Sequence, residues 1–368
     1  MIMTRRTSNP KSAVPAQRGY AMLGIIALLG VTATTVIVTS LSATAVHNEQ
    51  TRKTSSALAL AKQALIASAA SSNTRPGSLP CPDADDDGIA DPTSGACTSL
   101  IGRLPWQTLG LPDLRDASGE RLWYALSQQF TDANAVNGNT TGELNVTGTV
   151  SATNAAAIVF APGVSVNGQS RDGERRFSVT HFVESYTGPT TFITHAADSA
   201  YNDQLMVISS ADIFLVVDRR IAKELQNSLQ AYYTTSAGRL PWYSTACTGS
   251  VCSTVNPLPA TPPTAIALPE SGTSYLPTDD AILNAALPAW FVANQWNSVV
   301  SYRVDSNCAA GLAPCGGAFS GYSPGSTGSV LIGFTGGTAN AGTKAVLSIT
   351  GVNPLTNYQM TALNAAVQ

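Results

Sequence analysis

The chain has 368 residues, a net charge of −3 and only 12% charged residues, about half the charged share of an average soluble protein. That length leaves room for roughly two domains beyond a terminal helix, each able to bury a core. No cluster of Lys or Arg lies downstream of Arg18 to grip a phosphate backbone, which argues against nucleic acid as a partner.

Tyr20 to Val46, YAMLGIIALLGVTATTVIVTSLSATAV, carries no charged residue. As a helix it spans about 40 Å, more than the roughly 30 Å hydrocarbon core of a bilayer. The preceding leader is basic, with Arg5, Arg6, Lys11 and Arg18, and ends on Gly19. Basic residues on that side predict a cytoplasmic leader and an exported remainder. A secretory signal places its small-residue cleavage site after the apolar run, whereas Gly19 stands before it, so cleavage there keeps the helix.

This order, Arg18-Gly19 followed by Tyr20 and apolar sequence, resembles the class III leader of type IV pilins and type II secretion pseudopilins. The resemblance implies cleavage after Gly19 by a prepilin peptidase and methylation of the new terminus on Tyr20. The family's usual Glu at the fifth mature position is Gly24 here. That departure points to a minor or tip subunit, because the tip-located K-type pseudopilin is the family's known exception. An uncleaved signal anchor is the alternative.

Residues 47 to 72 continue the helix, with Leu58, Ala61, Leu65 and Ala69 recurring at three- and four-residue steps. This stripe predicts a helix that packs on a globular head. Arg75-Pro76-Gly77 ends it, and the block to Arg121 is dense in Pro, Gly and Asp, hence loop-rich. Leu122 to Leu126 reads as a strand or short helix, and a polar loop follows to about Thr149. Ala155 to Ala161 reads as a buried strand ended by Pro162-Gly163, and residues 164 to 204 as polar and irregular. From Gln204 a strand feeds a helix carrying Ile213, Val216, Val217, Ile221, Leu225 and Leu229 on one face, with Asp212 as its N-cap.

Gly102 to Trp106, GRLPW, reappears unchanged as Gly238 to Trp242, each copy following an Ala- and Lys-containing helix, which predicts an internal duplication. The Pro-rich stretch 256 to 277 falls inside the second copy, and a short helix broken near Pro288 follows it. The expected fold class is α+β: a long membrane-spanning N-terminal helix with a duplicated head, each copy holding a small antiparallel sheet. The divisions are a leader at 1–19, the helix at 20–72, a first head repeat at 73–215 and a second at 216–368.

Six cysteines fall as local pairs: Cys81 with Cys97, Cys247 with Cys252, and Cys308 with Cys315. Beyond an export signal, an even count in loop-rich sequence predicts disulfides, and proximity favours these pairings among the fifteen possible. Zinc does not suit them, since no pair has C-x-x-C spacing and His47, His181 and His195 lie far off in sequence.

Asp83 to Gly88, DADDDG, matches the first half of a calcium loop. The candidate ligands are Asp83, Asp85, Asp87, the Ile89 carbonyl and Asp91, while Ser94 stands where a bidentate Glu is usual. A flexible acidic turn is the other reading. The pilin resemblance adds that pseudopilin heads use calcium. Gly321 to Gly325 fits G-x-S-x-G around Ser323, but no His follows His195 to serve as its base.

Together these features predict a non-enzymatic subunit, stored in the inner membrane as a single-pass protein with its head in the periplasm or at the cell surface. Its implied partners are the membrane, the prepilin peptidase and other pilin-like subunits of a pilus or protein-secretion filament. An exported, signal-anchored binding protein or hydrolase that never enters a filament is the rival.

Overall fold

The computed structural model describes residues 18–166, 168–236, 241, 244–248, 251–254, 275–304, 330–335 and 343–349, with side chains from Ala45 to Tyr302 within those limits. The chain divides into two compact units, Met1–Lys53 and Thr54–Gln368. Helix α1, Arg18–Ser71, is a single 54-residue helix. Residues 45 to 53 are all exposed. From Thr54 onward the helix buries Ala57, Leu58, Ala61, Leu65 and Ala69, the stripe expected from the sequence.

Strands β1 (Ile101–Arg103), β2 (Trp123–Leu126), β3 (Leu144–Gly148), β4 (Ala152–Ala161), β5 (Tyr186–Gly188), β6 (Thr191–Thr194) and β7 (Gln204–Ser209) form one seven-stranded sheet. β4 is its centre, pairing antiparallel with β2, β3 and β7, and it is buried at every position from Ala155 to Ala161. β3 and β6 run parallel. On one face Tyr124, Leu126, Ala156, Ala157, Val159 and Ala161 meet the helices. Small residues on β4 let a helix approach closely, and a register shift between Ala155 and Ala157 puts Ala156 and Ala157 on the same side. On the other face Trp123, Ile158 and Phe160 meet Phe182, Val183 and Phe192 from the 162–203 segment.

Helix α2, Ser210–Thr235, is the second organising element. Ser209 is its N-cap: the Ser209 hydroxyl accepts from Asp212 N at 3.2 Å and Asp212 accepts from Ser209 N at 2.8 Å. This capping box satisfies two N–H groups that the helix itself cannot pair. Asp212 also receives Lys62 of α1 at 3.0 Å. Farther along, the Arg220 guanidinium donates to the Ala70 and Ser72 carbonyls, each at 2.6 Å, closing the C-terminus of α1.

The remaining elements are β8 (Ser244–Thr248), β9 (Val251–Thr254), α3 (Ala281–Ala286), α4 (Ala289–Ala293), β10 (Val300–Val304), β11 (Val330–Thr335) and β12 (Thr343–Ile349). The break between α3 and α4 falls at Leu287-Pro288, where the sequence put it. β8 and β9 make a hairpin, and β10, β12 and β11 make a three-stranded antiparallel sheet. α3 docks on α2, with Ser228 donating to the Ala286 carbonyl at 2.8 Å and Tyr232 bonded to Asp280 at 3.1 Å. Buried Asn294 donates to the Thr74 carbonyl at 2.9 Å and its own carbonyl accepts from Asn137 at 3.0 Å. One apolar cluster therefore runs from Leu58 and Leu65 through Phe214 and Ile221 to Phe291, Trp296 and Tyr302.

Three expectations are corrected. Among the described residues no helix is long and apolar enough to cross a membrane. This overturns the expected transmembrane helix and the single-pass inner-membrane location. The described side chains of α1 begin at Ala45 and include the charged Glu49, Arg52, Lys53 and Lys62; the side chains of residues 20 to 44, most of the expected span, lie outside the described residues. The expected duplicate antiparallel sheets are replaced by a curled mixed sheet in the first half and a smaller antiparallel sheet in the second. The stretch to Thr149 and the 164 to 204 segment, expected as loops, contribute β3, β5 and β6. Apart from Pro241, the second GRLPW copy lies outside the described residues.

Candidate functional site

The acidic loop is held by its neighbours before any ligand is considered. Cys81 and Cys97 form a disulfide with Cα atoms 5.3 Å apart, closing a loop around Asp83 to Asp91. Asp83 bridges to Arg103 at the end of β1, N to O at 3.0 and 2.7 Å in the two directions. Its side chain, 1% exposed, turns into the loop and accepts from Asp86 N and Gly88 N, each at 2.7 Å. Asp86 (φ 70°) and Gly88 (φ 90°) make the bend. Gly88 is required twice over, because a Cβ there would stand 2.5 Å from the Trp106 indole nitrogen. Burial pushes the Asp83 carboxyl up, the two N–H donors pull it down, and the Asp86 and Asp87 charges push it up again, leaving it raised.

Three of the sequence-derived ligands come together: one carboxylate oxygen from each of Asp83, Asp85 and Asp91 lies within 4.8 Å of the others. Asp91 also accepts from Ala84 N at 2.7 Å, which ties the two ends of the loop. Asp87 stands outside this group and accepts from Ile89 N at 2.7 Å, so Ile89 acts here through its N–H. Ser94 is exposed. Asp85 and Asp91 are hard oxygen donors with open valences, and no Lys or Arg among the described residues forms an ion pair with Asp83, Asp85 or Asp91. Converging carboxylates without a cationic side chain suit a hard divalent cation such as calcium.

Asp86 does something the motif does not announce. It leaves the loop and meets Arg121 at 2.9 Å and Arg103 at 3.7 Å, and Arg121 also binds Asp113 at 2.9 Å. The buried Arg103 guanidinium lies over the Phe182 ring at 4.1 Å and over Trp123 at 4.6 Å. Burial lowers its pKa to about 10, against the opposing pull of Asp86 and Glu120, so it keeps its charge at neutral pH. Sequence reasoning missed both arginines, since Asp86 lies 17 and 35 residues from them and no spacing rule connects them.

The other expected positions are distributed as follows. Gly19 and Tyr20 lie in the first turn of α1. Cys247 and Cys252 form a disulfide across β8 and β9, directly opposite in register. Cys308, Cys315 and the Ser323 motif lie outside the described residues. Compared with known proteins, the chain matches no family model, no curated protein and no solved structure.

Proposed function

We propose that the chain is a non-enzymatic, filament-building subunit of the pilin and pseudopilin kind, processed between Gly19 and Tyr20 by a prepilin peptidase. The observation that carries this reading is α1. The helix is continuous from Arg18 to Ser71, and among its described side chains residues 45 to 53 are wholly exposed while the stripe from Thr54 on packs into the head. The exposed residues 45 to 53 are helix surface with which to bind copies of itself or related subunits, while the head determines what the assembly touches. The disulfides support an oxidising compartment for that head. Calcium at Asp83, Asp85 and Asp91 is part of the same proposal, as a stabiliser of the loop and not a reactant.

The experiment is mass spectrometry of the protein from cells with an active prepilin peptidase. The mature chain is expected to begin at methylated Tyr20, and Gly19→Val to retain Met1. A wild-type protein with an intact Met1 terminus would sink the reading.

A further inference from the structure

Between β4 and β7 the chain makes a covering layer, residues 162 to 203, whose Phe182, Val183 and Phe192 close the outer face of the sheet. Two short segments of this layer, Glu184-Ser185 and Asn202-Asp203, are clamped reciprocally. Asn202 N donates to Glu184 Oε2 at 3.2 Å, and Ser185 N donates to Asp203 Oδ2 at 2.7 Å. The Ser185 hydroxyl also donates to Asp203 Oδ2 at 2.7 Å and lies 3.1 Å from the Tyr201 hydroxyl. Gln169 donates its amide to Glu184 Oε1. Every donor in the clamp is thus committed, yet Asp203 Oδ1 is buried without a hydrogen-bond partner. An orphan carboxylate oxygen beside a second carboxylate is costly in a dry site. A proton on it, donated to Glu184, removes both the orphan and the repulsion.

We propose that Asp203 and Glu184 share one proton and form an acid-set latch that holds the 162–203 layer over the sheet. The other groups near the pair are Tyr201, His195 and Arg171. Tyr201 is neutral, its pKa raised by burial and by the nearby Asp203 and Glu184 charges, and the exposed His195 ring meets Tyr201 edge-on at 5.3 Å. Arg171 reaches the clamp only through Gln169, at 2.8 Å, and its charge is engaged by Glu120 at 3.2 Å.

Burial first, then the Glu184 charge, raises the Asp203 carboxyl to about 8. In an opened layer the same carboxyl titrates near 4. Between those values the closed form holds one proton more than the open form. The latch is therefore strongest at low pH, weakens as pH rises through that window, and changes no further above it. Its release would free Phe182 and Val183 from the start of β7 and uncover the aromatic face formed with Trp123 and Phe160.

Hydrogen exchange at the Ser185 and Asn202 amides tests this in the full oxidised chain. Asp203→Asn mimics the protonated carboxyl, accepting from Ser185 and donating to Glu184 permanently. The wild-type protection factor divided by that of Asp203→Asn is expected to fall about tenfold per pH unit from roughly pH 5 to 7, or about 100-fold in all. A fall of less than about tenfold over that range overturns the proposal. Should Asp203→Asn fail to fold, Glu184→Gln serves as the second variant: its own protection is expected to fall less steeply with pH than the wild type's, because burial alone remains to hold the Asp203 proton, and an unchanged slope overturns the shared proton. A wild-type protection that instead rises with pH and loses that rise on adding EDTA would assign a metal cation to the pair in place of the proton, and would also overturn it.

Discussion

Asp83 and Asp85 belong to one motif, yet the structure gives them separable roles. Asp83→Ala removes a carboxylate that accepts from Asp86 N and Gly88 N at 2.7 Å in a site where Gly88 is buried. Hydrogen bonds to a charged group contribute about 1.5–3 kcal/mol each, so their joint loss should cost about 3–5 kcal/mol. This cost needs no metal. Asp85 is exposed, and its recorded bond is a 3.3 Å contact from Asp87 N, so Asp85→Ala should be nearly silent in chelator. With a dissociation constant of about 0.5 mM, typical of extracellular modules, roughly 5 mM calcium adds about 1.4 kcal/mol to the wild type. Asp85→Ala should forfeit that increment alone. Thermal unfolding by circular dichroism, in EDTA and in calcium, separates the two terms. Equal melting of both variants in EDTA would refute the anchoring role of Asp83. A wild-type curve unmoved by calcium would reduce the cluster to an acidic turn.

Further outcomes follow from the packing and the charges. Leu65→Ala empties a fully buried position between α1 and the sheet and should cost about 3–5 kcal/mol, seen as a lower denaturant midpoint at unchanged slope. Arg121→Met leaves Asp86 and Asp113 without their shared cation, and because the pair is part-exposed the loss at pH 7 should be about 1 kcal/mol. Burial would raise Asp113, but hydrogen bonds from Arg121 and Arg115 outweigh it and hold the carboxyl below the ordinary range. A depressed carboxyl stabilises above its unfolded pKa and loses that contribution as pH falls through its folded value. The gap between Arg121→Met and wild type should therefore shrink below about pH 4. A gap constant from neutral to acid would show that Arg121 acts only through packing.

Much of the first half was legible because its signals are local. The stripe Leu58, Ala61, Leu65, Ala69 declares a docked helix, the unbroken apolar run from Ala155 declares a central strand, and the spacing of Cys81 and Cys97 declares their bond. The N-cap of α2 was read one turn too late. Asp212 is the third helical residue of a capping box whose cap is Ser209, and the two residues together form the S-x-x-D pattern. What was illegible is long-range. The parallel pairing of β3 with β6 joins residues 46 apart in polar text, and only isolated Phe182 and Phe192 hinted that the segment covers a sheet. The alternating Asp83, Asp85 and Asp87 read as equivalent ligands, although Asp83 and Asp85 join the ion group while Asp87 turns back on its own backbone, and Asp86 between them goes to arginine. Sequence spacing places carboxylates on a turn; it does not say which way each one points.

α2 has a consequence for how the head can fail. In an array of repeats each copy keeps its own core and the copies melt nearly independently. Here Ile213, Phe214, Val217, Ile221, Leu225 and Leu229 belong to a single cluster shared with α1, with the sheet and with α3 and α4. A chain cut before Ser210 would leave the first half with a bare apolar flank, and one beginning after it would lose the sheet that the helix covers. The same sharing governs mechanical load. Arg220 and Asp212 grip α1 at Ala70 and Lys62 and the residue just past its end, Ser72, so tension along the docked part of α1 is passed to the centre of the head. Such an arrangement resists peeling one turn at a time and gives way only when the whole core does.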